Sequence, residues 1–147
     1  MIRSFSLSDL EQILEIEKTS FPKSPYDWAT FLNLFYQYPK TFLVYIDTRH
    51  GVGGNRILGY IVFTASGHIL SIAVDPRHRK KGVGKALIER ALHLRRVKKI
   101  WAEVRKGNLG AQAFYLKMGF QIIREVPNYY GDEDALIIER APSEPAP

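Results

Sequence analysis

Hydrophobic residues recur along this chain with two periods, one typical of amphipathic helices and one typical of β-strands. Apolar residues three and four positions apart share one face of a helix, so this spacing predicts four helices. Capping residues indicate where the helices begin and end. The helices are predicted after a capping-box pattern formed by Ser8 and Glu11, between Asp27 and Pro39, over 83–94 and over 108–119.

Runs of β-branched and aromatic residues predict seven strands, at 2–5, 42–46, 57–64, 68–74, 98–104, 120–126 and 135–138. Short connections make the strands between residues 42 and 74 an antiparallel meander. The strand–helix–strand order from residue 68 to residue 104 predicts a parallel pairing through a right-handed crossover. The predicted fold class is therefore α/β (α+β), with a central, mixed, mostly antiparallel twisted sheet of six to seven strands and about four helices.

A length of 147 residues suits one domain, which we expect over 1–140, and we expect the proline-rich segment 141–147 to be a disordered tail. No apolar run approaches the length of a membrane span, and the first residues lack the apolar core of a signal peptide. Cysteine is absent, so nothing indicates disulfides. We therefore expect a cytoplasmic protein that has no membrane partner.

Basic residues outnumber acidic ones and give the chain a formal net charge of +6. Such a charge favours encounters with polyanions of any kind, which is weaker than specific recognition. The sequence has no helix-turn-helix spacing and no RNP-like aromatic string, so we expect no specific nucleic-acid partner. The histidines stand singly, without metal-ligand spacing, so we expect no metal and interpret them as surface or turn residues. They are His50, His68, His78 and His93.

The loop that follows the strand 68–74 is rich in basic residues and contains Gly82 and Gly84. The glycines let the backbone approach a small ligand, while the free N–H groups and the dipole of the following helix favour an anion. This pattern predicts a phosphate-binding loop, and the alternative is an ordinary basic turn that caps a helix. The cations of the loop are Arg79, Lys80, Lys81 and Lys85.

Two common phosphate-binding motifs do not fit this loop. A Walker loop needs a hydroxyl residue after Gly-Lys, whereas Ala86 follows Gly84 and Lys85. A dinucleotide fingerprint needs a third glycine at a spacing that is absent here. The pattern Arg79-x-x-Gly82-x-Gly84, directly after the strand sequence Ser-Ile-Ala-Val-Asp-Pro, instead resembles the acetyl-CoA loop of the GNAT acetyltransferases.

The C-terminal third carries further elements in the order of one GNAT branch. Its sequence runs Glu-Val-Arg-Lys-Gly-Asn over 103–108 and continues with Phe-Tyr at 114–115, Met-Gly-Phe at 118–120 and Asn-Tyr-Tyr at 128–130. These elements resemble the ribosomal-protein-alanine and protein N-terminal (RimI-type) acetyltransferases. The resemblance covers 2–139 and implies a GNAT fold in which splayed central parallel strands form an acetyl-CoA cleft. Lys80 departs from the glycine that is frequent in the family loop.

The resemblance also implies acetyl-CoA as the acetyl donor and assigns residues to hold it. The backbone over 72–74 would pair with the pantetheine arm, and the loop over 79–85 would hold the pyrophosphate. Asn108 resembles a CoA-contacting asparagine of the family, and a simple N-cap is its alternative role. The implied donor-binding residues are Ile72, Ala73, Val74, Arg79, Lys80, Lys81, Gly82, Val83, Gly84, Lys85, Asn108 and Tyr115.

Three residues receive catalytic roles by the same resemblance. Glu103 would be the general base, and its alternative is an exposed carboxylate at a strand end. Tyr115 would be the general acid, because a phenol with a pKa of about 10 can protonate a thiolate of comparable basicity. Core packing on its helix face is the alternative for Tyr115. The N–H of Val74 would stabilise the developing oxyanion.

The acceptor is expected between an aromatic elbow, 21–26, and the loop around residues 129 and 130. The substrate-binding residues carried over from the family are Phe21, Tyr26, Tyr129, Tyr130 and Glu17. Glu17 lies on or beside the apolar stripe of the first helix, and its alternative role is a border residue in water.

The function predicted on these grounds is acetyl-CoA-dependent acetylation of protein N-termini, with ribosomal proteins as one candidate acceptor class. A GNAT that acts on lysine or on a small amine is the alternative within the enzymes. A non-catalytic CoA-binding or nucleic-acid-associated module is the alternative from another class. We expect a monomer or a weak homodimer.

Overall fold

A computed structural model describes residues 1–23, 25–48, 56–94 and 98–141. Within this part of the chain lie four α-helices, α1 (Leu10–Ser20), α2 (Trp28–Gln37), α3 (Val83–Leu94) and α4 (Leu109–Lys117). The seven strands are β1 (Ile2–Ser4), β2 (Phe42–Asp47), β3 (Arg56–Phe63), β4 (Ile69–Val74), β5 (Ile100–Arg105), β6 (Gln121–Val126) and β7 (Ala135–Arg140). The number and type of the predicted elements are confirmed.

The chain divides into two compact units. Unit 1 comprises Met1–Thr64 and Ile69–Ala91, and unit 2 comprises Ala65–His68 and Leu92–Pro147. Unit 1 contains an antiparallel sheet in the order β1-β2-β3-β4, which includes the predicted meander. Unit 2 contains an antiparallel sheet in the order β5-β7-β6. The prediction of one domain over 1–140 stays a prediction, and residues 142–147 of the expected tail lie outside the described residues.

The core of unit 1 is built on β3, which is buried from Ile57 to Phe63. Such a continuous apolar strand needs cover on both faces. On one face, Phe31 of α2 meets Tyr60 of β3 edge-to-face, with 5.6 Å between the ring centroids. On the other face, Val83 and Leu87 of α3 lie over Gly59. Helix α2 starts where predicted, because the Asp27 side chain accepts the N–H of Thr30 at 2.9 Å.

The predicted capping box of Ser8 and Glu11 is wrong. Helix α1 begins at Leu10 after a 3-10 turn, and the reciprocal capping pair is Ser6 and Asp9. The Asp9 carboxylate is only 4% exposed and accepts two hydrogen bonds from the Arg3 guanidinium, at 2.7 and 2.8 Å. Burial opposes ionisation of Asp9, but the bonds from Arg3 and from the Ser6 N–H lower its pKa overall. This ion pair fixes where α1 begins.

In unit 2 the side chains of β5 alternate between two faces. Ile100, Ala102 and Val104 are buried, whereas the three residues between and after them are half-buried on the opposite face. The predicted parallel pairing is represented by one bridge, between His68 and Trp101, in which the Trp101 N–H donates to the Gly67 carbonyl at 3.0 Å. The second face of β5 therefore carries Trp101, Glu103 and Arg105.

None of the helices in the described residues has the length and apolar character that a membrane crossing requires. The same residues contain no cluster of His, Asp and Glu that could hold a metal ion.

The aromatic core of unit 1 generates a stability prediction. Phe31→Ala should lower the free energy of unfolding by about 3–5 kcal/mol, because its ring is fully buried and its loss leaves a cavity. Trp28→Ala on the same helix is the matched control, since Trp28 is 60% exposed. Chemical denaturation of both variants checks this, and equal losses would show that α2 does not pack through Phe31.

Candidate active site

The loop between β4 and α3 is shaped by Asp75, Gly82 and Arg79. The Asp75 side chain accepts the N–H of Arg77 at 3.0 Å, which forms a short turn at Pro76–His78. Gly82 has a φ of 82°, in the left-handed region, and no atom lies within 4 Å of the position a side chain there would occupy. The start of α3 therefore faces an open space, as a phosphate-binding loop requires.

The cations of this loop differ in what they contact. Arg79 donates from Nε to the Val74 carbonyl at 3.3 Å and from its guanidinium to the Ser20 hydroxyl at 3.4 Å. It thus holds the loop against the end of β4. Lys80, Lys81 and Lys85 are exposed. Lys80, which replaces the frequent glycine, has a φ of 65°, so the backbone keeps the left-handed conformation that glycine would adopt readily.

Strand β4 is the last strand of its sheet, and its backbone groups alternate in direction. The Asp75 N–H donates to the Leu58 carbonyl of β3 at 2.8 Å. Because alternate residues of an antiparallel strand point to opposite sides, the N–H groups of Val74 and Ile72 point away from β3. Ala73 pairs with Tyr60 in the ladder. Two of the three predicted backbone positions therefore lie on the free edge of β4.

Unit 2 contains a histidine–carboxylate pair on the second face of β5. The Nε2 atom of His68 lies 2.9 Å from the Glu103 carboxylate. The imidazole stacks on the Trp101 ring with 3.9 Å between centroids and 3° between planes. Both side chains are partly accessible, at 24% for His68 and 17% for Glu103. Glu103 is therefore held by a partner and still reachable from solvent.

Sequence reasoning missed His68, which it treated as one of four single histidines. The available signal was the predicted parallel pairing of the strands that begin at residues 68 and 98. Such a pairing brings residue 68 close to the strand that carries Glu103, and the observed register places it beside Trp101.

Tyr115 packs in the core, as the alternative role predicted for it requires, and its catalytic role stays a prediction. Its side chain is 8% exposed and packs edge-to-face against Phe114 and Phe120, at 5.2 and 5.0 Å between centroids. Burial raises the pKa of Tyr115 far above its usual range, and the charge of Glu103 and the neighbouring Tyr130 raise it further. The phenol is thus a core group that lies within electrostatic reach of Glu103.

Tyr129 and Tyr130 lie in the turn between β6 and β7. Their rings are edge-to-face at 4.8 Å, and Tyr129 is 50% exposed. The pKa of Tyr130 is raised by burial and by the charge of Glu103, so Tyr130, Tyr115 and Glu103 share one electrostatic environment. Asn108 acts as the N-cap of α4, where its side chain accepts the Ala111 N–H at 3.0 Å, and its contact with CoA stays a prediction.

Glu17 in unit 1 is only 2% exposed, so its interpretation as a border residue in water is wrong. One carboxylate oxygen accepts the Tyr26 N–H at 2.9 Å, and the other accepts the Tyr60 hydroxyl. The Tyr60 hydroxyl also bonds Ser71 at 2.9 Å, and the Tyr26 hydroxyl donates to the Leu70 carbonyl at 3.3 Å. Glu17 therefore holds the elbow in place, and its direct contact with an acceptor stays a prediction.

The other elbow residues divide between core and surface. Phe21 packs against the core of unit 1, whereas Tyr26 is 36% exposed. The Tyr26 ring is thus accessible, while the Tyr26 backbone is fixed by its hydrogen bond to the buried Glu17 carboxylate.

Residues 9–120, more than half of the chain, match the sequence profile of the acetyltransferase (GNAT) family. The chain belongs to the GNAT family. An uncharacterized N-acetyltransferase of Methanocaldococcus jannaschii is 35% identical to it, over 100% of this chain and 96% of the relative. An N-alpha-acetyltransferase of Sulfolobus acidocaldarius is 30% identical, over 93% of this GNAT chain and 89% of the relative.

Solved GNAT structures agree with the fold. The crystal structure of Ard1 from Thermoplasma volcanium matches with a TM-score of 0.81 and 37% identity, covering 98% of each chain. The ribosomal-protein-S18-alanine N-acetyltransferase of Escherichia coli matches with a TM-score of 0.73 and 26% identity, over 99% of this chain and 96% of that one. The predicted resemblance to RimI-type and N-terminal acetyltransferases is confirmed.

The buried Glu17 carboxyl generates a pH prediction. Burial is the main cause that raises its pKa, against the hydrogen bonds from Tyr26 and Tyr60. A carboxyl group whose pKa rises on folding adds stability below its unfolded pKa and loses it as pH rises through the folded pKa. The stability of the wild type relative to Glu17→Gln should therefore fall as pH rises above about 4.3, the pKa of glutamate in an unfolded chain.

Glu15→Gln is the matched control, because Glu15 is exposed on the same helix. Urea unfolding at several pH values measures the difference. A relative stability of Glu17→Gln that does not change with pH would show that Glu17 has the same pKa in the folded and unfolded chains.

Proposed function

We propose that this protein is an acetyl-CoA-dependent Nα-acetyltransferase that acetylates the N-terminal amine of proteins. The observation that carries the proposal is the Glu103 carboxylate, held by His68 and sharing one electrostatic environment with Tyr115 and Tyr130. Relatives named as N-alpha-acetyltransferase and as ribosomal-protein-S18-alanine N-acetyltransferase support the choice of acceptor. The proposal includes a cytoplasmic location and ribosomal proteins as one acceptor class.

The residues of unit 1 suit the binding of acetyl-CoA, whose thioester supplies the activated acetyl group. The exposed lysines and the open start of α3 favour a pyrophosphate. The N–H groups of Ile72 and Val74, on the free edge of β4, are available to an amide-containing arm and to a thioester oxygen. Arg79 lies at the same edge, where it donates to the Val74 carbonyl at 3.3 Å.

The base must remove a proton from the acceptor amine. An α-amine has a pKa of about 8, against about 10.4 for lysine, so part of it is uncharged at neutral pH and the demand on the base is modest. Glu103 suits this task because it is partly accessible and can act directly or through water. The stacked His68 ring fixes the orientation of the carboxylate and provides a second group that can accept the proton.

Tyr115 suits the departure of the CoA thiolate, but as a hydrogen-bond donor and not as the predicted general acid. A phenol whose pKa is raised this far keeps its proton at neutral pH and is a weaker acid than a phenol in water. Complete proton transfer to the thiolate is therefore unfavourable in the resting protein. The phenol would instead stabilise the developing negative charge by donating a hydrogen bond.

The first test measures CoA thiol release from acetyl-CoA with a mixed library of free N-terminal peptides. We expect release with this library and none with a matched N-blocked library that contains lysine, because the pKa of the α-amine suits Glu103. Mass spectrometry of the products then identifies the acetylated residue. Release with the blocked library alone would reject the proposal in favour of a lysine acceptor.

The second test addresses the base. Glu103→Gln should lower kcat by a factor of about 100 to 10,000 while the KM for acetyl-CoA stays within about twofold, because only proton transfer is lost. His68→Phe keeps a ring on Trp101 and loses the hydrogen bond, so a smaller loss of kcat is expected.

Glu139→Gln is the control for the loss of a carboxylate in unit 2, since Glu139 pairs with Lys99 at 3.1 Å. It should retain wild-type kcat. Full activity of Glu103→Gln across the pH range would remove Glu103 as the base.

A further inference from the structure

The turn between β6 and β7, residues 127–134, is hereafter the tyrosine turn, and its backbone is closed on itself. Asn128 and Gly131 have φ values of 54° and 86°, both in the left-handed region. The Gly131 N–H donates to the Asn128 carbonyl at 3.0 Å, and the Tyr130 N–H donates to the Glu133 carbonyl at 3.1 Å. The turn therefore has a defined shape that can be placed as a unit.

A second turn, residues 106–108 after β5, binds the tyrosine turn through Glu133. The Glu133 carboxylate accepts the Gly107 N–H at 2.8 Å, and the Lys106 N–H donates to the Asp134 carbonyl at 3.0 Å. A side chain at Gly107 would meet only the flexible end of Glu133, so a substitution there would displace the carboxylate from the Gly107 N–H. Backbone and carboxylate together join the turns.

Arg105 completes the junction from the last position of β5. Its guanidinium contacts Asp132 at 3.0 Å and Glu133 at 3.4 Å, and it lies 4.2 Å from the centroid of the Tyr130 ring. A guanidinium over an aromatic face is attracted by the ring electrons. Arg105 therefore binds both the acidic side of the tyrosine turn and its inner tyrosine.

The position of Arg105 links the turn to the base. Glu103 and Arg105 are two residues apart on β5 and so lie on the same face of the strand. The strand that carries the carboxylate thus also fixes the tyrosine whose pKa responds to that carboxylate. We infer that Arg105 and Glu133 are positioning residues that hold Tyr130 beside Glu103 and so fix where an acceptor N-terminus can lie. This inference rests on the proposed function.

If Arg105 served only to stabilise the fold, its loss would lower the melting temperature. The Arg105 side chain is 41% exposed and that of Asp132 is 76% exposed, and exposed ion pairs contribute little to global stability. Loss of Arg105 should therefore leave the melting temperature nearly unchanged. The position of the tyrosine turn should respond more, because Arg105 makes two ion pairs and the ring contact at the same place.

The test compares Arg105→Met, Arg105→Lys and Glu133→Gln with Lys106→Met as the control. Lys106 lies next to Arg105, and its side chain is 56% exposed and pairs with Glu125 at 3.0 Å. Its variant therefore removes a neighbouring positive charge and keeps the backbone hydrogen bond from Lys106 to Asp134. For Arg105→Met we expect a rise of about tenfold in the KM for a free N-terminal peptide, with the KM for acetyl-CoA within about twofold. Arg105→Lys should restore part of the loss, Glu133→Gln should raise the peptide KM about threefold, and Lys106→Met should resemble the wild type.

Amide hydrogen exchange of Gly107 and Tyr130 is the second measurement, and it does not depend on activity. Both amides should exchange about tenfold faster in Arg105→Met than in Lys106→Met, because the junction that protects them is weakened. An unchanged peptide KM with unchanged exchange would overturn the inference. So would a large fall in melting temperature with proportional losses for both substrates.

The two proposals fail in different ways. If the wild type acetylates no peptide, the proposed function fails, and the exchange of Gly107 and Tyr130 still decides whether Arg105 and Glu133 position the turn. If the wild type acetylates N-termini but Arg105→Met has the wild-type peptide KM, only the inference about the turn fails.

Discussion

Side chains on β5 must alternate between two faces, and the candidate site of unit 2 depends on this constraint. The residues Ile100, Ala102 and Val104 are buried and anchor the strand in the core. Their burial obliges Trp101, Glu103 and Arg105 to share the other face. Trp101 stacks on the His68 ring, the Glu103 carboxylate lies 2.9 Å from Nε2 of that ring, and Arg105 contacts the tyrosine turn. A shift of register by one residue would bury all three functional side chains.

Unit 1 depends on a different constraint, which is the cost of burying a carboxyl group. Glu17 is tolerated in the core because hydrogen-bond donors meet its oxygens, among them the Tyr60 hydroxyl and the Tyr26 N–H. The Tyr26 N–H belongs to the elbow, so its hydrogen bond to the Glu17 carboxylate also fixes the position of the elbow backbone at Tyr26. A buried polar group thereby fixes a segment that apolar packing alone would leave less defined.

The parts of the structure that the sequence predicted are those set by local patterns. The strand-like run over 98–104 predicted β5, and Asp27 as a capping residue predicted the start of α2. The prediction for the start of α1 was wrong because the sequence contains two overlapping capping patterns. A salt bridge between Arg3 and Asp9 favours the pattern that ends at Asp9. Local sequence does not contain that choice.

The parts of the candidate site that could be predicted are again those that local patterns set. Glu103 and Tyr115 could be assigned from spaced elements of a family pattern, but His68 lies 35 residues from its partner Glu103. Glu17 and Tyr60 are 43 residues apart, so the burial of Glu17 could not be predicted from its helix alone. Pairings at such separations are set by the tertiary fold, and the residues they join carry no periodic signal of their own.

The protonation roles open to Glu103 and Tyr115 suit an acceptor amine that is partly uncharged at neutral pH. Glu103 keeps contact with solvent and with His68, so it can release a proton that it has accepted. Tyr115 is fully within the core and holds its proton, so it can stabilise negative charge without first becoming charged. A lysine acceptor would place a greater demand on the base than an α-amine does, since its amine is protonated almost completely at neutral pH. An α-amine therefore needs less help from a base in unit 2 than a side-chain amine does, because of its own lower pKa.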